Sequence, residues 1–212
     1  MATSLPPALR TVAVATNTGR ADGLVGAFSP VIDAERINAV ICFWKDAGTR
    51  GRWFARDKGF DKRFRDRFLD LHMEVAARRH DSWTETPDGA MALLILTDQF
   101  PRNAFRGTSH MYATDLLARH YARQALAAGY MERIEPDLRL FFCLPYAHSE
   151  EIADQDVSVM LNAKLGEPWI SHAEGHRCII RRFGRFPHRN PMLGRETTRE
   201  EAAFLRNGGF RG

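Results

Sequence analysis

Apolar residues recur along this chain at helical spacing, and no stretch alternates between apolar and polar positions as a half-buried strand would. Four residues at the i, i+3, i+4, i+7 spacing predict a first helix: Ile37, Val40, Ile41 and Trp44. Asp33 is placed to act as its N-cap. A longer amphipathic helix is predicted by five apolar residues on one face: Phe60, Phe64, Phe68, Leu71 and Val75.

Two further stretches are apolar on every side and predict central, fully covered helices. They are "GAMALLILT" at residues 89–97 and "DLRLFFCLPYA" at residues 137–147. Helices also begin at polar capping residues and end at glycines, as in Thr114 to Gly129 and Ser149 to Gly166. Thr198 and Glu201 have the spacing of a capping box. Seven or eight such helices predict an all-α fold, with antiparallel pairs stacked in a right-handed superhelix.

The length and composition fit one folded domain, which we place at residues 31–212. Residues 1–30 are poor in acids but contain no apolar core of a signal peptide, so we expect a loosely ordered extension on a cytoplasmic protein. No apolar run approaches the roughly 18 residues of a membrane-spanning helix. The sequence therefore predicts no membrane association.

The three cysteines are isolated, and their spacing matches neither a zinc site nor a redox pair. Cys143 and Cys178 lie in apolar company, which predicts buried thiols. The sequence "HAEGH" at residues 172–176 departs by one position from the zinc-binding H-E-x-x-H pattern. Since His176 shares a stripe with Ile180 and Phe183, we predict a hydrogen-bonded core histidine there. We expect neither a metal nor a cofactor.

Three apolar segments end in concentrated polar chemistry. We name these ends the first Phe-Pro segment ("DQFPRN", residues 98–103), the acidic segment ("HSEE", residues 148–151) and the second Phe-Pro segment ("RFPHRN", residues 185–190). Proline disfavours a helical conformation in the residue before it, and asparagine suits a turn. We therefore predict that each Phe-Pro segment ends a helix and joins it to the next.

Turn chemistry does not require the arginines and histidines of these segments. Polar groups at the ends of buried helices need hydrogen-bond or ion-pair partners, because an unpaired buried group costs about 1–3 kcal/mol of folding free energy. We therefore predict that the three segments meet, with Asp98 or Glu150 close to an Arg or His of another segment. The predicted ligand-binding residues are Asp98, Gln99, Arg102, Asn103, His148, Glu150, Arg177, His188, Arg189 and Asn190.

The stretches around these segments resemble the bacterial Domain of Unknown Function 924 family. They are "LLILTDQFPRNAFRGTSHMYATDLLA", "FFCLPYAHSEEIADQ" and "HRCIIRRFGRFPHRNPMLGRETTREEAAFL". "FWKDAGTRGRWFARDKGFDKRF" is similar to the family's N-terminal segment, although Lys45 stands where the family more usually has Phe. The resemblance implies a fold similar to tetratricopeptide-repeat proteins. It implies no established activity.

Four interpretations remain open from the sequence. The segments could simply lock loops to the core. They could form a concave site in a binding module, where Arg, His and Asn side chains take an anionic small molecule or an acidic peptide. They could form a hydrolase-type site from His148, Glu150, Asp98 and His188, with or without a metal. Nucleic-acid binding is disfavoured, because an acidic middle offsets the arginine-rich C-terminal part.

Overall fold

The structure, a computed structural model, describes residues 30–212, so the predicted extension lies outside the described residues except for Pro30. Within that range it is all-helical and contains no strand, which confirms the predicted fold class. The α-helices are α1 (Pro30–Thr49), α2 (Lys58–Ala76), α3 (Pro87–Leu94), α4 (Phe100–Ala104), α5 (Asp115–Ala127), α6 (Leu140–Ala147), α7 (Ile152–Ala163), α8 (Trp169–Phe183) and α9 (Arg199–Arg206).

Helix α3 is the centre of the core. Its residues from Gly89 to Leu94 are all buried, and the helix packs against α1, α5 and α6. The five predicted apolar residues of α2 are buried as well, and Phe64 packs edge-on against Phe100. Uniformly apolar helices therefore occupy the middle of the fold, and amphipathic helices surround them.

Helices that follow one another along the chain also pack together. Helix α5 lies on α6, α6 on α7, and α7 on α8. This packing is consistent with a superhelical, repeat-like stack. The detailed likeness to tetratricopeptide repeats stays a prediction.

The first Phe-Pro segment does not end a helix, and this part of the prediction was wrong. Residues Ile95–Gln99 form one π-helical turn, and Phe100 has helical backbone angles and begins α4. The amide of Phe100 bonds the carbonyl five residues back, that of Ile95. Since the wider turn moves the preceding carbonyls away from a following proline ring, Pro101 is accommodated within a continuous helical rod.

The proline still leaves its usual acceptors without a backbone donor. Pro101 has no N–H to give to the carbonyls four and five residues earlier, which belong to Thr97 and Leu96. Side chains supply the donors: the Thr114 hydroxyl bonds the Thr97 carbonyl at 2.6 Å, and Nδ1 of His72 bonds the Leu96 carbonyl at 2.9 Å. Thr114 precedes α5 as predicted, but its hydroxyl serves this carbonyl and makes no capping bond.

The second Phe-Pro segment does end a helix. Helix α8 stops at Gly184, which has a left-handed conformation, and Phe186 is extended ahead of a short 3₁₀ turn, Pro187–Arg189. Asn190 is helical in conformation, so the left-handed residue that follows is Gly194. The predicted capping box of Thr198 and Glu201 then begins α9.

Two smaller predictions need correction. Helix α1 begins at Pro30, so Asp33 lies in its first turn, where the helix dipole favours a carboxylate, and is not the N-cap. Cys143 is buried as expected, but Cys178 is exposed, because the buried residues of α8 are Ala173, Ile179 and Ile180. Among the described residues, no helix is both long and apolar enough to span a membrane.

Candidate functional site

The three polar segments meet, as the sequence predicted. Nδ1 of His148, in the acidic segment, lies 2.7 Å from Oδ1 of Asp98, in the first Phe-Pro segment. The guanidinium of Arg189, in the second, donates to the carbonyl of His148 at 2.9 Å. The amide of Phe186 donates to Glu150 at 2.9 Å. We call this junction the three-segment cluster.

Asp98 is the buried anion of the three-segment cluster. Its π-helical position places it inside the fold, with 1% of its surface exposed. Gln99 donates to Oδ2 at 2.6 Å, and Arg102 lies 3.2 Å from Oδ1. Burial alone would raise the pKa of the Asp98 carboxyl, but the charge of Arg102 and the contact with His148 lower it to about 2. Asp98 is therefore ionised at neutral pH.

His148 is held by Asp98 at one ring nitrogen, and its other ring nitrogen has no hydrogen-bond partner among residues 30–212. It follows α6 as its C-cap, and its side chain is 19% exposed. Within residues 30–212, no hydrogen bond involves its Nε2. Burial and the charge of Arg102 lower the pKa of the imidazole below its usual range, against the opposing effect of Asp98. The ring is thus neutral at pH 7, and an ionised Asp98 favours the tautomer with the proton on Nδ1.

Asp115 completes the charge pairing, and the sequence analysis missed it. Arg102 donates to both of its carboxylate oxygens, at 2.9 and 3.1 Å, and Arg189 lies 3.6 Å away. With His148 neutral, two guanidiniums face two carboxylates, and their formal charges cancel. The available signal was the position of Asp115 directly after the predicted capping residue Thr114, and this position does not indicate its partners.

Arg189 is enclosed by aromatic rings. It is 6% exposed, and its guanidinium carbon lies 4.7 Å from the centre of the Tyr112 ring and 4.6 Å from that of Phe186. Its Nε is buried without a hydrogen-bond partner among the described residues. Burial and the charge of Arg102 lower the pKa of the guanidinium. A buried donor without a partner marks a place where a water molecule or a ligand oxygen would be stabilised.

Other predicted residues support the three-segment cluster from its edges. Glu150 pairs with Arg195 at 2.8 Å. Asn190 is fully buried and donates to Glu201 of α9 at 3.2 Å, while its Oδ1 has no partner among the described residues. Asn103 lies on α4 and donates to the Gln99 carbonyl. These contacts tie α9 and α4 to the cluster.

Arg177 lies apart from these contacts. It is on α8 and pairs with Asp156 of α7 at 3.2 Å. No ion pair or hydrogen bond of the described structure joins it to Asp98, His148 or Arg189. Its inclusion among the predicted ligand-binding residues has no support in these contacts.

His188, within the second Phe-Pro segment, and His176 of α8 both pack against Phe210. The rings of His176 and His188 pack at 4.6 and 5.1 Å from that of Phe210. Burial lowers their pKa values, to about 3 for His176 and about 4 for His188. Nδ1 of each is buried without a partner among the described residues, so the predicted hydrogen bond of His176 is not made at that atom.

No group of three or more His, Cys, Asp or Glu side chains in the part of the chain that the structure describes is arranged to hold a metal ion.

Two cavities lie outside the three-segment cluster. One, of about 370 Å³, lies between α8 and α9 and includes His176 and Phe210 in its wall. The other, of about 330 Å³, lies at the junction of α1 and α2.

Comparisons with known proteins agree with this architecture. Residues 40–209 match the sequence model of a family described as "Bacterial protein of unknown function (DUF924)". The fold is similar to the solved structure of a protein of unknown function from Agrobacterium tumefaciens, with 50% identity and a TM-score of 0.80, over 82% of this chain and 99% of that chain. A comparison with curated protein sequences finds no match. The chain belongs to the DUF924 family of bacterial proteins of unknown function.

Proposed function

We propose that this protein is a binding module for a small polar molecule that donates a hydrogen bond to Nε2 of His148. One observation carries the proposal: a buried, ionised Asp98 lies 2.7 Å from Nδ1 of a partly exposed imidazole. A carboxylate held on one ring nitrogen fixes the tautomer and the orientation of the other. The arrangement leaves the lone pair of Nε2 for a ligand.

The pairing of the guanidiniums narrows the chemistry of the ligand. The sequence predicted an anionic molecule bound by Arg102 and Arg189. However, the guanidinium of Arg102 already contacts the carboxylates of Asp115 and Asp98. Arg189 retains one buried donor, its Nε. A molecule with a hydroxyl or amine for His148 and an oxygen acceptor for Arg189 therefore fits better than one recognised by negative charge alone.

Nuclear magnetic resonance of the full chain with ¹⁵N-labelled histidine tests the imidazole directly. We expect His148 at pH 7 to be neutral, with Nδ1 protonated and Nε2 bare. The Asp98→Asn variant should lose this preference, because the neutral amide no longer favours a proton on Nδ1. A His148 ring protonated on Nε2 in the wild-type protein would contradict the proposal.

Binding itself is tested by screening hydroxyl- and amine-bearing fragments by ligand-observed resonance. We expect a subset to bind the wild type and to lose at least about tenfold in affinity with His148→Gln, since the amide no longer presents an acceptor at the position that Asp98 fixes for Nε2. His110→Gln is the control, because His110 is exposed and lies on Phe105, outside the three-segment cluster. Fragments that bind both variants equally, or none that bind, would rule out this site.

A hydrolase-type role is the second candidate, and the same Asp98–His148 pair favours it. A neutral imidazole oriented by a carboxylate can take a proton from a water molecule, as a general base does. Activity on a panel of small esters, amides and phosphoesters should then rise with pH through the lowered pKa of His148 and disappear in His148→Gln. Activity that survives in this variant would reject the assignment.

A further inference from the structure

Residues 43–64, the stretch that is similar to the family's N-terminal segment, line a cavity that lies apart from the three-segment cluster. This cavity of about 330 Å³ lies where the end of α1 meets the beginning of α2. The volume is in the range of small-molecule pockets. The lining residues are Phe43, Asp46, Ala47, Arg50, Arg52, Phe60 and Arg63.

The loop that carries Arg52 is held in place by Trp53. The indole N–H of Trp53 donates to the carbonyl of Trp44 at 2.7 Å, and its ring lies directly on Gly48. A Cβ on Gly48 would come within 2.2 Å of that ring, so only glycine permits this approach. The amide of Arg52 bonds the Ala47 carbonyl at 2.8 Å. The backbone of Arg52 is thus positioned before any ligand arrives.

Positive charge exceeds negative charge around this cavity. Arg50, directly after α1, pairs with Asp46 of that helix at an exposed position, where such a pair contributes little. Arg52 lies 3.5 Å from Asp57, whose carboxylate already accepts the amides of Gly59 and Phe60 as the N-cap of α2. Three guanidiniums face two carboxylates.

Arg63 is the third guanidinium; its charge helps to lower the pKa of Asp57, but it does not reach ion-pair distance from that carboxylate. It makes no ion pair and no hydrogen bond with any residue in the range 30–212, although it lines the cavity. Its exposed side chain leaves all of its donors available to a ligand.

We propose that the cavity at the α1–α2 junction binds a phosphate monoester with a small apolar or aromatic body. A phosphate group has three terminal oxygens and a charge near −2, so it can contact three guanidiniums at once. It can also replace Asp46 as the partner of Arg50, because that exposed ion pair is weak. A carboxylate has only two oxygens and one charge. Phe43, which is half-buried, supplies a small apolar part of the otherwise largely polar lining, against which the ester group would rest.

Isothermal titration calorimetry of the full chain with phenyl phosphate tests this site. We expect saturable binding that weakens with added sodium chloride, with inorganic phosphate weaker because it lacks the ring, and benzoate weaker because it lacks the third oxygen. Arg63→Gln should lower the affinity about tenfold, the loss typical of a charge-assisted hydrogen bond. Arg63 makes no hydrogen bond and no ion pair with any residue in the range 30–212, so Arg63→Gln is expected to fold normally.

Lys62→Gln is the matched control. Lys62 is on the same helix, is 76% exposed and pairs with Asp66, so its removal changes the net charge equally but leaves the cavity intact. Its affinity should stay within about twofold of the wild type, because screening weakens charge effects beyond the contact shell. Equal losses in the two variants, or no heat of binding for phenyl phosphate at millimolar concentration, would refute the site. Binding should persist in His148→Gln, which separates this inference from the function proposed above.

Discussion

Arg102 is the residue on which the charge pairing of the three-segment cluster most depends. Its guanidinium contacts the carboxylates of Asp98 and Asp115 and the carbonyl of Asp98, yet its side chain is only 15% exposed. Two ionised carboxylates would lose their main partner if it were truncated. An unpaired charge in the interior is far more costly than an unpaired charge at the surface.

We therefore expect Arg102→Ala to lower the free energy of unfolding by about 3–5 kcal/mol, the cost of breaking a buried ion pair. Pro101→Ala should cost less, because the proline shapes one turn locally. Arg182→Ala is the control, since Arg182 pairs with Glu200 at an exposed position and should change stability by about 1 kcal/mol or less. Thermal and urea denaturation measure all three. A small loss for Arg102→Ala would mean that its partners are solvated.

The buried histidines predict a dependence of stability on pH. The pKa values of His176 and His188 are lowered by burial to about 3 and about 4, so the unfolded chain binds protons first as pH falls. The two histidines therefore do not lower the free energy of unfolding above a pH of about 6.5. Below that pH the free energy of unfolding decreases toward pH 4, by up to about 1.4 kcal/mol per pH unit for each histidine. Asp98 has a pKa of about 2, so the stability that its ionised carboxylate contributes is lost only below about pH 4.

Urea unfolding at pH 7, 6 and 5 measures this slope. His176→Gln should flatten it by the contribution of one histidine, because glutamine takes up no proton. His172→Gln, at an exposed position on the same helix, serves as the comparison and should keep the wild-type slope. An unchanged slope in His176→Gln would show that the folded and unfolded states protonate this imidazole equally readily.

At the scale of the element, the π-helical turn between α3 and α4 decides where the polar side chains point. One extra residue in a turn rotates everything that follows by about a quarter of a helical turn relative to a regular helix. This turn buries Asp98 and Gln99 together and lets Pro101 continue the rod. π-turns within α-helices are frequently found at functional sites, and this one supplies the anion that orients His148.

The donors that replace the missing proline amide can be tested by a double-mutant cycle. Thr114→Val should cost about 1–3 kcal/mol, because it leaves the Thr97 carbonyl unsatisfied in the interior. In a Pro101→Ala background the cost should be smaller, since alanine restores a backbone N–H near this carbonyl. Thr108→Val is the control, because its hydroxyl bonds the Phe105 carbonyl at an exposed position. Equal costs of Thr114→Val in both backgrounds would disprove the compensation.

At the scale of the whole molecule, one buried acid joins the C-terminal helix α9 to the second Phe-Pro segment. Glu201 is 2% exposed and accepts from Arg185, Asn190 and the Thr198 amide. The hydrogen bond from Arg185 lowers its pKa, to about 2, against the effect of burial. Helix α9 has a smaller buried face than α3, so the two helices should open with different free energies.

Native-state hydrogen exchange tests this difference. Glu201→Gln should speed exchange in α9 and in the turn Pro187–Arg189, because the charge-assisted bonds to Arg185 are lost. Exchange in α3 should be nearly unchanged. Glu200→Gln is the neighbouring control, since Glu200 makes an exposed pair with Arg182. Faster exchange throughout the protein would instead indicate that α9 unfolds together with the core.

The sequence by itself determined the helical class, the buried faces and most helix ends. These depend on residues within one or two turns of each other, such as the five apolar residues of α2 and the capping box of Thr198 and Glu201. It also predicted that the polar segments meet, because charges at the ends of buried helices need partners. The contact of Asp98 with His148 confirms that energetic argument.

Tertiary structure alone decided which partners those charges have. Asp115 follows the predicted helix start at Thr114, and its carboxylate accepts from Arg102, thirteen residues earlier in the chain. Pro101 looked like a helix end, yet Thr114 and His72, from other elements, supply donors that let the helix continue. Local sequence cannot show such donors, because long-range hydrogen bonds and burial are set only when the helices have packed.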